Sequence, residues 1–187
     1  MQQRFYDAFQ ENPIVAAIRS DADLADCLTT DVRVVFVLYG DVCSISGIVD
    51  RVKTAGKLAV VHIDLITGLS AKEVAVDFLR SNTRADGIIS TRPALIQRAK
   101  ELGLFTLLRV FVIDSSALSS ALNARQLRPD AVDILPGLMP DIIRTIHEKT
   151  GLCVLTGGLI TQKQQIMQAL RAGALAISTT DPAVWRM

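Results

Sequence analysis

Eight short apolar runs recur along this chain of 187 residues, and each is followed by a turn signal. They occupy residues 13–18, 34–38, 58–63, 87–89, 104–113, 131–135, 152–155 and 174–177. Each run is apolar nearly throughout instead of alternating with polar residues, which is typical of strands buried on both faces of a parallel sheet. Because a helical pattern separates most neighbouring runs, the sequence predicts alternating strands and helices.

The number of these units constrains the fold more than any other feature. Eight βα units close a barrel, whereas doubly wound open sheets usually contain five or six parallel strands. We therefore predict an α/β fold, a compact (β/α)8 TIM-type barrel, with residues 1–187 as a single domain. In such a barrel the functional site lies at the C-terminal ends of the strands.

The last two predicted strands end in loops that suit a phosphate group. Gly157 and Gly158 follow one strand, and Ser178, Thr179 and Thr180 follow the other. Glycine lets a ligand approach the backbone closely, and N–H groups at the start of a helix bind anions. Each loop alone has a structural alternative, as a simple turn or a helix N-cap. On adjacent strands at the end of a barrel, the pair favours a phosphate pocket.

The sequence also contains a weak internal similarity. Residues 86–93 resemble residues 174–182, and each segment follows a Leu-Ile-Thr triplet, at 65–67 and 159–161. Duplicated half-barrels would produce this pattern, although motifs this short also match by chance. If the similarity is real, it predicts a second anion-binding site at residues 90–92.

Polar side chains cluster where the predicted strands end. His62 and Asp64 lie two positions apart on one predicted strand and are expected to project to the same side. Arg109 interrupts an apolar run, so if buried it needs a carboxylate partner, which Asp64 or Asp133 can supply. The full set of candidate pocket residues is Arg19, His62, Asp64, Arg92, Arg109 and Asp133. Such a set suits a small phosphorylated molecule with hydroxyl groups, and a purely structural ion pair is the alternative for Arg109.

An enzyme on the same scaffold is a competing hypothesis. An isomerase or aldolase acting on a small phosphorylated substrate needs a positioned acid–base pair, for which His62 with Asp64 or Asp114 is the candidate. We predict no metal site, because one histidine and scattered aspartates match no metal-ligand spacing. No cofactor is predicted.

Composition bears on the partners and the compartment. Lys plus Arg (20) nearly balance Asp plus Glu (19), so a general electrostatic attraction to nucleic acid is not supported. The opening residues lack the apolar core of a signal peptide, and the longest apolar runs are too short for a membrane span. Three cysteines without metal-ligand spacing are typical of a reducing compartment. We therefore expect a cytoplasmic location and no membrane partner.

Seven segments together resemble a known family, the glycerol-3-phosphate-responsive antiterminators, also called glycerol uptake operon antiterminator regulatory proteins. The segments are PIVAAIR (13–19), VHIDLITG (61–68), GIISTR (87–92), RVFVIDS (109–115), PDAVDILPG (129–137), TGGLI (156–160) and ALAISTTDPAVW (174–185). The resemblance covers essentially the whole chain after residue 12, and the joint order and spacing make it specific.

The resemblance implies a small (β/α)8 barrel that senses glycerol 3-phosphate and acts on leader mRNA as a transcription antiterminator, with no catalytic residue. The phosphate is then expected at Gly157, Gly158, Ser178, Thr179 and Thr180, and the glycerol near the six candidate pocket residues. Since the net charge is small, RNA binding requires a local basic patch, for which the candidates are Arg80, Arg84, Arg98 and Lys100. A solvated helix face is the alternative for these side chains, and a homodimer would double the patch.

Overall fold

The computed structural model describes residues 1–187, and its eight parallel strands form a closed barrel. The strands are β1 (Ile14–Ile18), β2 (Val34–Val37), β3 (Leu58–His62), β4 (Gly87–Ser90), β5 (Phe105–Phe111), β6 (Ala131–Leu135), β7 (Cys153–Gly157) and β8 (Ala174–Thr179). Each strand pairs with the next one in sequence, and β8 pairs with β1. The predicted (β/α)8 barrel is therefore confirmed, and the open-sheet alternative is wrong.

Eight helices surround or close this barrel. They are α1 (Gln3–Glu11), α2 (Asp21–Cys27), α3 (Ile45–Thr54), α4 (Val74–Asn82), α5 (Pro93–Glu101), α6 (Ser115–Asn123), α7 (Pro140–Thr150) and α8 (Lys163–Arg171). Helices α2 to α8 follow β1 to β7, whereas β8 is followed by a 3-10 helix at Val184–Arg186. Ser20 and Asp114 fix the starts of α2 and α6, because their side chains accept hydrogen bonds from the N–H groups of Asp23 and Ala117. None of the helices combines the length and apolarity needed to cross a lipid bilayer.

Successive strand residues contribute to two separate apolar cores. In β2, Val34 and Phe36 belong to a core inside the barrel, while Val35 and Val37 belong to a larger core between the sheet and the helices. The side-chain period of a strand is two, so a strand in a closed barrel must be apolar on both faces. This is the physical reason why the strands read as continuous apolar runs in the sequence.

Helix α1 closes the N-terminal end of the barrel. Phe5 and Phe9 of this helix are fully or almost fully buried in the inner core. The ring of Phe5 stacks on that of Phe105, at the start of β5, with centroids 3.9 Å apart. Arg4 reinforces the contact from the surface through an ion pair with Asp86, at 2.7 Å. The barrel is thus apolar and sealed at this end, so any ligand has to enter at the other.

Several predicted strand ends are displaced in ways that affect the site. Strands β7 and β8 continue to Gly157 and Thr179, beyond the predicted residues 155 and 177, because Gly157 and Ser178 still pair in the ladder. Strand β3 ends at His62, and Asp64 lies in a 3-10 helix at Ile63–Leu65. The expectation that His62 and Asp64 share one face of a strand is therefore wrong.

Replacing Phe5 by Ala tests the role of α1 as the barrel's closure. The substitution removes a stacked ring from a sealed core, and we expect it to lower the free energy of unfolding by about 3–5 kcal/mol. Urea denaturation followed by circular dichroism measures this loss. Tyr6 lies on the same helix and is 42% exposed. Tyr6→Ala is the matched control and should cost less than about 1 kcal/mol; equal losses for the two variants would contradict this role for α1.

Candidate functional site

A pocket of about 310 Å³ opens at the C-terminal end of the barrel, beside the ends of β5, β7 and β8. Its walls include five residues that the sequence singled out: Arg109, Gly158, Ser178, Thr179 and Thr180. The predicted position of the site, at the C-terminal ends of the strands, is therefore where the structure has its pocket.

The pocket is lined by backbone N–H groups without partners. The N–H groups of Gly158, Leu159, Ile160 and Thr180 donate no hydrogen bond to any backbone acceptor within the chain. The next N–H along the chain, that of Thr161, is already taken by the side chain of Gln165, at 2.9 Å. Converging N–H donors of this kind form a concave anion-binding site with a fixed positive potential.

The two glycines have different roles in this arrangement. A Cβ atom on Gly157 would lie 2.1 Å from Ser178 Oγ, so Gly157 permits the close approach of β7 to β8. Gly158 has open space around its Cα but a φ of +74°, in the left-handed region. Leu159 follows with a φ of +62°. Two consecutive left-handed residues turn the backbone sharply, which turns successive N–H groups toward one side.

Thr179 and Trp185 hold the two loops together. The hydroxyl of Thr179 donates to the carbonyl of Ile160 at 3.2 Å and accepts from the N–H of Asp181 at 3.2 Å. The indole N–H of Trp185, which is buried, donates to the carbonyl of Thr179 at 2.9 Å. The Thr179 hydroxyl therefore joins the loops after β7 and β8. Sequence reasoning missed the role of Trp185, although its being the only tryptophan was a usable signal.

An ion pair forms part of the pocket wall. Arg109 Nε donates to Asp133 Oδ2 at 2.8 Å, and Nη2 lies 2.7 Å from the same oxygen. The Arg109 side chain is only 7% exposed and that of Asp133 is fully buried. The partner that the sequence required for Arg109 is thus Asp133 and not Asp64. Asp133 orients the guanidinium, and Arg109 Nη1 has no partner within the chain.

Two buried polar atoms near this ion pair lack hydrogen-bond partners. They are Oδ1 of Asp133 and Nδ1 of His62. Burial, and next the positive charge of Arg109, lower the pKa of His62 to about 4, against an opposing effect of Asp64. His62 is therefore neutral at pH 7, with a ring that can donate one hydrogen bond and accept another.

Asp64 makes a second, filled version of the anion site. Its carboxylate accepts from the hydroxyl of Ser90 at 2.9 Å and from the N–H and hydroxyl of Thr91 at 2.8 and 3.1 Å. Arg92 lies 3.6 Å from the same carboxylate. The predicted second site for an external anion at residues 90–92 is therefore wrong, since the protein's own carboxylate occupies it.

Three of the predicted pocket residues lie away from the pocket lining. Arg19 and Arg92 project largely into solvent, with side chains 60% and 55% exposed, and Arg19 pairs with Asp23 at 3.6 Å. Asp64 is engaged by Ser90 and Thr91. The structure thus brings together Arg109, Asp133 and the two loops, and leaves Arg19, Arg92 and Asp64 on the rim of the barrel.

The predicted basic patch is partly neutralised. Arg98 donates to Asp77 through two nitrogens, at 3.0 and 2.7 Å, and also pairs with Glu101. Arg84 lies 3.8 Å from Asp50. Lys100 donates to a backbone carbonyl, and Arg80 is exposed without a carboxylate partner. Arg80, Arg84, Arg98 and Lys100 therefore form a mixed surface with a small excess of positive charge.

A family model described as "Glycerol-3-phosphate responsive antiterminator" matches residues 14–185. The Escherichia coli strain K12 protein YgcP, described as uncharacterized, is 38% identical over 179 residues, which cover 95% of this chain and 94% of that protein.

Two solved structures are similar over most of the chain. The glycerol uptake operon antiterminator regulatory protein from Listeria monocytogenes is 31% identical, with a TM-score of 0.90, covering 93% of this chain and 95% of that one. A glycerol uptake operon antiterminator-related protein from Thermotoga maritima is 30% identical, with a TM-score of 0.83 and coverages of 93% and 98%. Several enzymes match at 13% to 18% identity, which shows a shared fold alone.

The buried neutral state of His62 predicts a pH-dependent stability. Below its unfolded pKa of 6.5, His62 gains a proton in the unfolded chain but not in the folded one until the pH reaches about 4. The free energy of unfolding should therefore fall as the pH drops from 6.5 to 4, by about 3 kcal/mol at most. Urea denaturation at several pH values measures this slope.

The difference between variants isolates the contribution of His62 from that of the carboxylates. His62→Gln cannot titrate and should lose this part of the slope. His147, the other histidine, is exposed, so His147→Gln should keep it. Identical slopes for wild type and His62→Gln would refute the assignment.

Proposed function

Because the chain belongs to the glycerol-3-phosphate responsive antiterminator family, we propose that it binds glycerol 3-phosphate and, in response, acts on leader mRNA as a transcription antiterminator. The phosphate is assigned to the loops after β7 and β8, and the glycerol to the side of the pocket formed by Arg109. In this function the barrel is a sensor and carries no catalytic residue. A regulator of transcription works in the cytoplasm of a bacterial cell, which is the location we assign.

The observation that carries the phosphate assignment is the comparison between the turns after β4 and β8. Counting back from Pro93 and Pro182, Thr91 corresponds to Thr180. The N–H of Thr91 donates to the carboxylate of Asp64, whereas the N–H of Thr180 has no partner. The fold thus builds the same anion-binding turn twice and supplies an internal anion for only one of them. An external phosphate is the natural occupant of the other.

The remaining donors of the pocket suit a dianion. Besides the four N–H groups, the hydroxyls of Ser178 and Thr180 are without partners in the chain. Arg109 Nη1 adds a positive charge beside them. The carboxylate of Asp181, which also borders the pocket, accepts a hydrogen bond from the N–H of Ala183 at 2.9 Å. Charge-assisted hydrogen bonds from several oriented donors are the usual means of holding a phosphate.

The glycerol end of the ligand matches the groups around the ion pair. Glycerol 3-phosphate carries two hydroxyls, each able to donate one hydrogen bond and to accept others. Asp133 Oδ1 requires a donor and His62 Nδ1 requires a partner of either kind, according to its tautomer. Small shifts of Arg109 on binding would bring a hydroxyl within reach of these atoms.

The arrangement of His62 and Asp64 favours a sensor over an isomerase or aldolase. An acid–base pair must be within hydrogen-bonding reach of the same reacting group. Asp64 is occupied by Ser90 and Thr91, and no hydrogen bond joins it to His62. Asp114, the other candidate partner, caps α6 through the N–H of Ala117. The pair that an enzyme would need is therefore not assembled.

Gly158→Val tests the phosphate assignment. A β-branched residue at a φ of +74° strains the turn, and its side chain lies at the pocket, so the N–H donors lose their alignment. We expect the dissociation constant for glycerol 3-phosphate, measured by titration calorimetry, to rise more than about tenfold, which is a loss of about 1.4 kcal/mol.

Gly56 provides a matched control for this variant. It has the same φ of +74°, and a Cβ atom there would have no other atom within 4 Å, but it lies in the turn between α3 and β3, at the opposite end of the barrel. Gly56→Val should impose the same backbone strain and leave the affinity unchanged. If both variants bind as tightly as the wild type, the phosphate lies elsewhere; if the wild type binds no glycerol 3-phosphate, the sensing function itself is wrong.

RNA binding is tested by a gel shift with the leader RNA of a glycerol operon, with and without glycerol 3-phosphate and at two salt concentrations. We expect the ligand to change the affinity, and higher salt to weaken it in proportion to the few phosphates contacted. Combined Arg80→Glu and Arg84→Glu should weaken retention several-fold, because both side chains are exposed on the candidate patch. Lys149→Glu, at the end of α7, is the control for a loss of one exposed positive charge. Absence of any retained RNA would refute the antitermination function and leave ligand binding to be judged by calorimetry.

A further inference from the structure

Large exposed apolar side chains gather around the mouth of the pocket. Phe111 and Ile113 at the end of β5, Leu138 after β6, and Leu159 after β7 are 51%, 82%, 41% and 71% exposed. We refer to these four residues as the apolar rim. The other end of the barrel has no such group, because Phe5 and Phe9 there are covered by the barrel itself.

The members of the apolar rim lie on three adjacent loops. The N–H of Val112 donates to the carbonyl of Leu135 at 2.9 Å, which joins the end of β5 to that of β6. The N–H of Gly137 donates to the carbonyl of Gly158 at 3.3 Å, which joins the next pair. The rim is therefore continuous, and Leu159 belongs both to it and to the pocket wall. Contiguous apolar patches on a protein surface usually mark an interaction site.

The charges around the apolar rim favour a protein partner over RNA. Asp114 directly follows Ile113 and is exposed, and Asp181 borders the pocket mouth. Carboxylates beside the patch repel RNA phosphates. On the far side of the same face, Arg19 and Arg92 are more than half exposed. A face that carries both an apolar patch and charges of both signs is complementary to a second copy of itself.

We propose that the apolar rim is the contact between two copies of this chain, related by a two-fold axis and facing each other across their pockets. In this arrangement Phe111 and Ile113 of one copy pack against the rim of the other, and each copy covers the pocket mouth of its partner. Asp114 and Asp181 lie toward the arginines of the other copy. Dimerisation and ligand binding are then linked, since a ligand enclosed by the dimer strengthens it to the same extent that the dimer strengthens ligand binding. The identity of that ligand rests on the proposed function of the chain as a glycerol 3-phosphate sensor.

The test compares the mass of the protein in solution with and without glycerol 3-phosphate, by sedimentation over a range of protein concentrations. The wild type should approach twice the chain mass of 20.3 kDa, and saturating ligand should lower the dimer dissociation constant. Ile113→Lys places a charge in both halves of the contact at once and should raise that constant by about tenfold or more. Because Ile113 is 82% exposed, the variant should fold with an unchanged midpoint of thermal unfolding.

Met167→Lys is the matched control, since Met167 is an exposed apolar residue on α8, outside the rim. It should leave the dimer unchanged. A wild type that stays monomeric at all concentrations, or equal effects of the two substitutions, would overturn the proposal. So would a dimer that ligand does not strengthen, or a loss of RNA retention in Ile113→Lys without a change of mass, which would assign the rim to RNA.

Calorimetry on the same samples separates this proposal from the proposed function. If the wild type is monomeric but binds glycerol 3-phosphate, the dimer is wrong and the sensor stands. If it dimerises through the rim but binds no ligand, the sensor is wrong and the link between the two equilibria fails with it.

Discussion

Closure of the barrel through β8 is the constraint on which the site depends. Strand β8 must pair with β7 on one side and with β1 on the other, so its two edges are both fixed by backbone hydrogen bonds. The approach to β7 is so close at Gly157 that a single Cβ atom would collide with Ser178. Beyond this contact the two strands end together, and their loops diverge into the turn that exposes the N–H donors. The pocket is a consequence of how the last strand closes the sheet.

Two turns of the barrel solve one electrostatic problem in different ways. A turn that directs N–H groups into a concave space creates a positive potential that attracts an anion. After β4 that anion is Asp64, which is held by Ser90 and Thr91 and stiffens the rim of the barrel. After β8 the corresponding N–H of Thr180 is open to the pocket. The difference lies in one carboxylate, and it separates a structural turn from a candidate binding site.

Charge inside the barrel is the main cost of this design. A buried ion pair such as Arg109 with Asp133 contributes little net stability, because removing both charges from water offsets their attraction. His62 adds a neutral ring whose protonation the surrounding burial disfavours. These groups occupy the layer below the pocket, while the opposite end of the barrel is filled by phenylalanine rings. Polar groups with unsatisfied atoms in an otherwise apolar interior are best understood as ligand-facing groups and not as part of the stabilising core.

The sequence by itself determined the barrel, because strands buried on both faces must be apolar at every position and therefore stand out as runs. It also located the loops that line the pocket, since Gly158 and the hydroxyl-rich turn after β8 are local features of the chain. Only the tertiary structure decided which polar residues meet. The partner of Arg109, the capture of Asp64 by the turn after β4, and the clamp between Trp185 and Thr179 all depend on contacts that no local pattern specifies. Such contacts follow from the register and closure of the sheet, which the periodicity of a single strand does not encode.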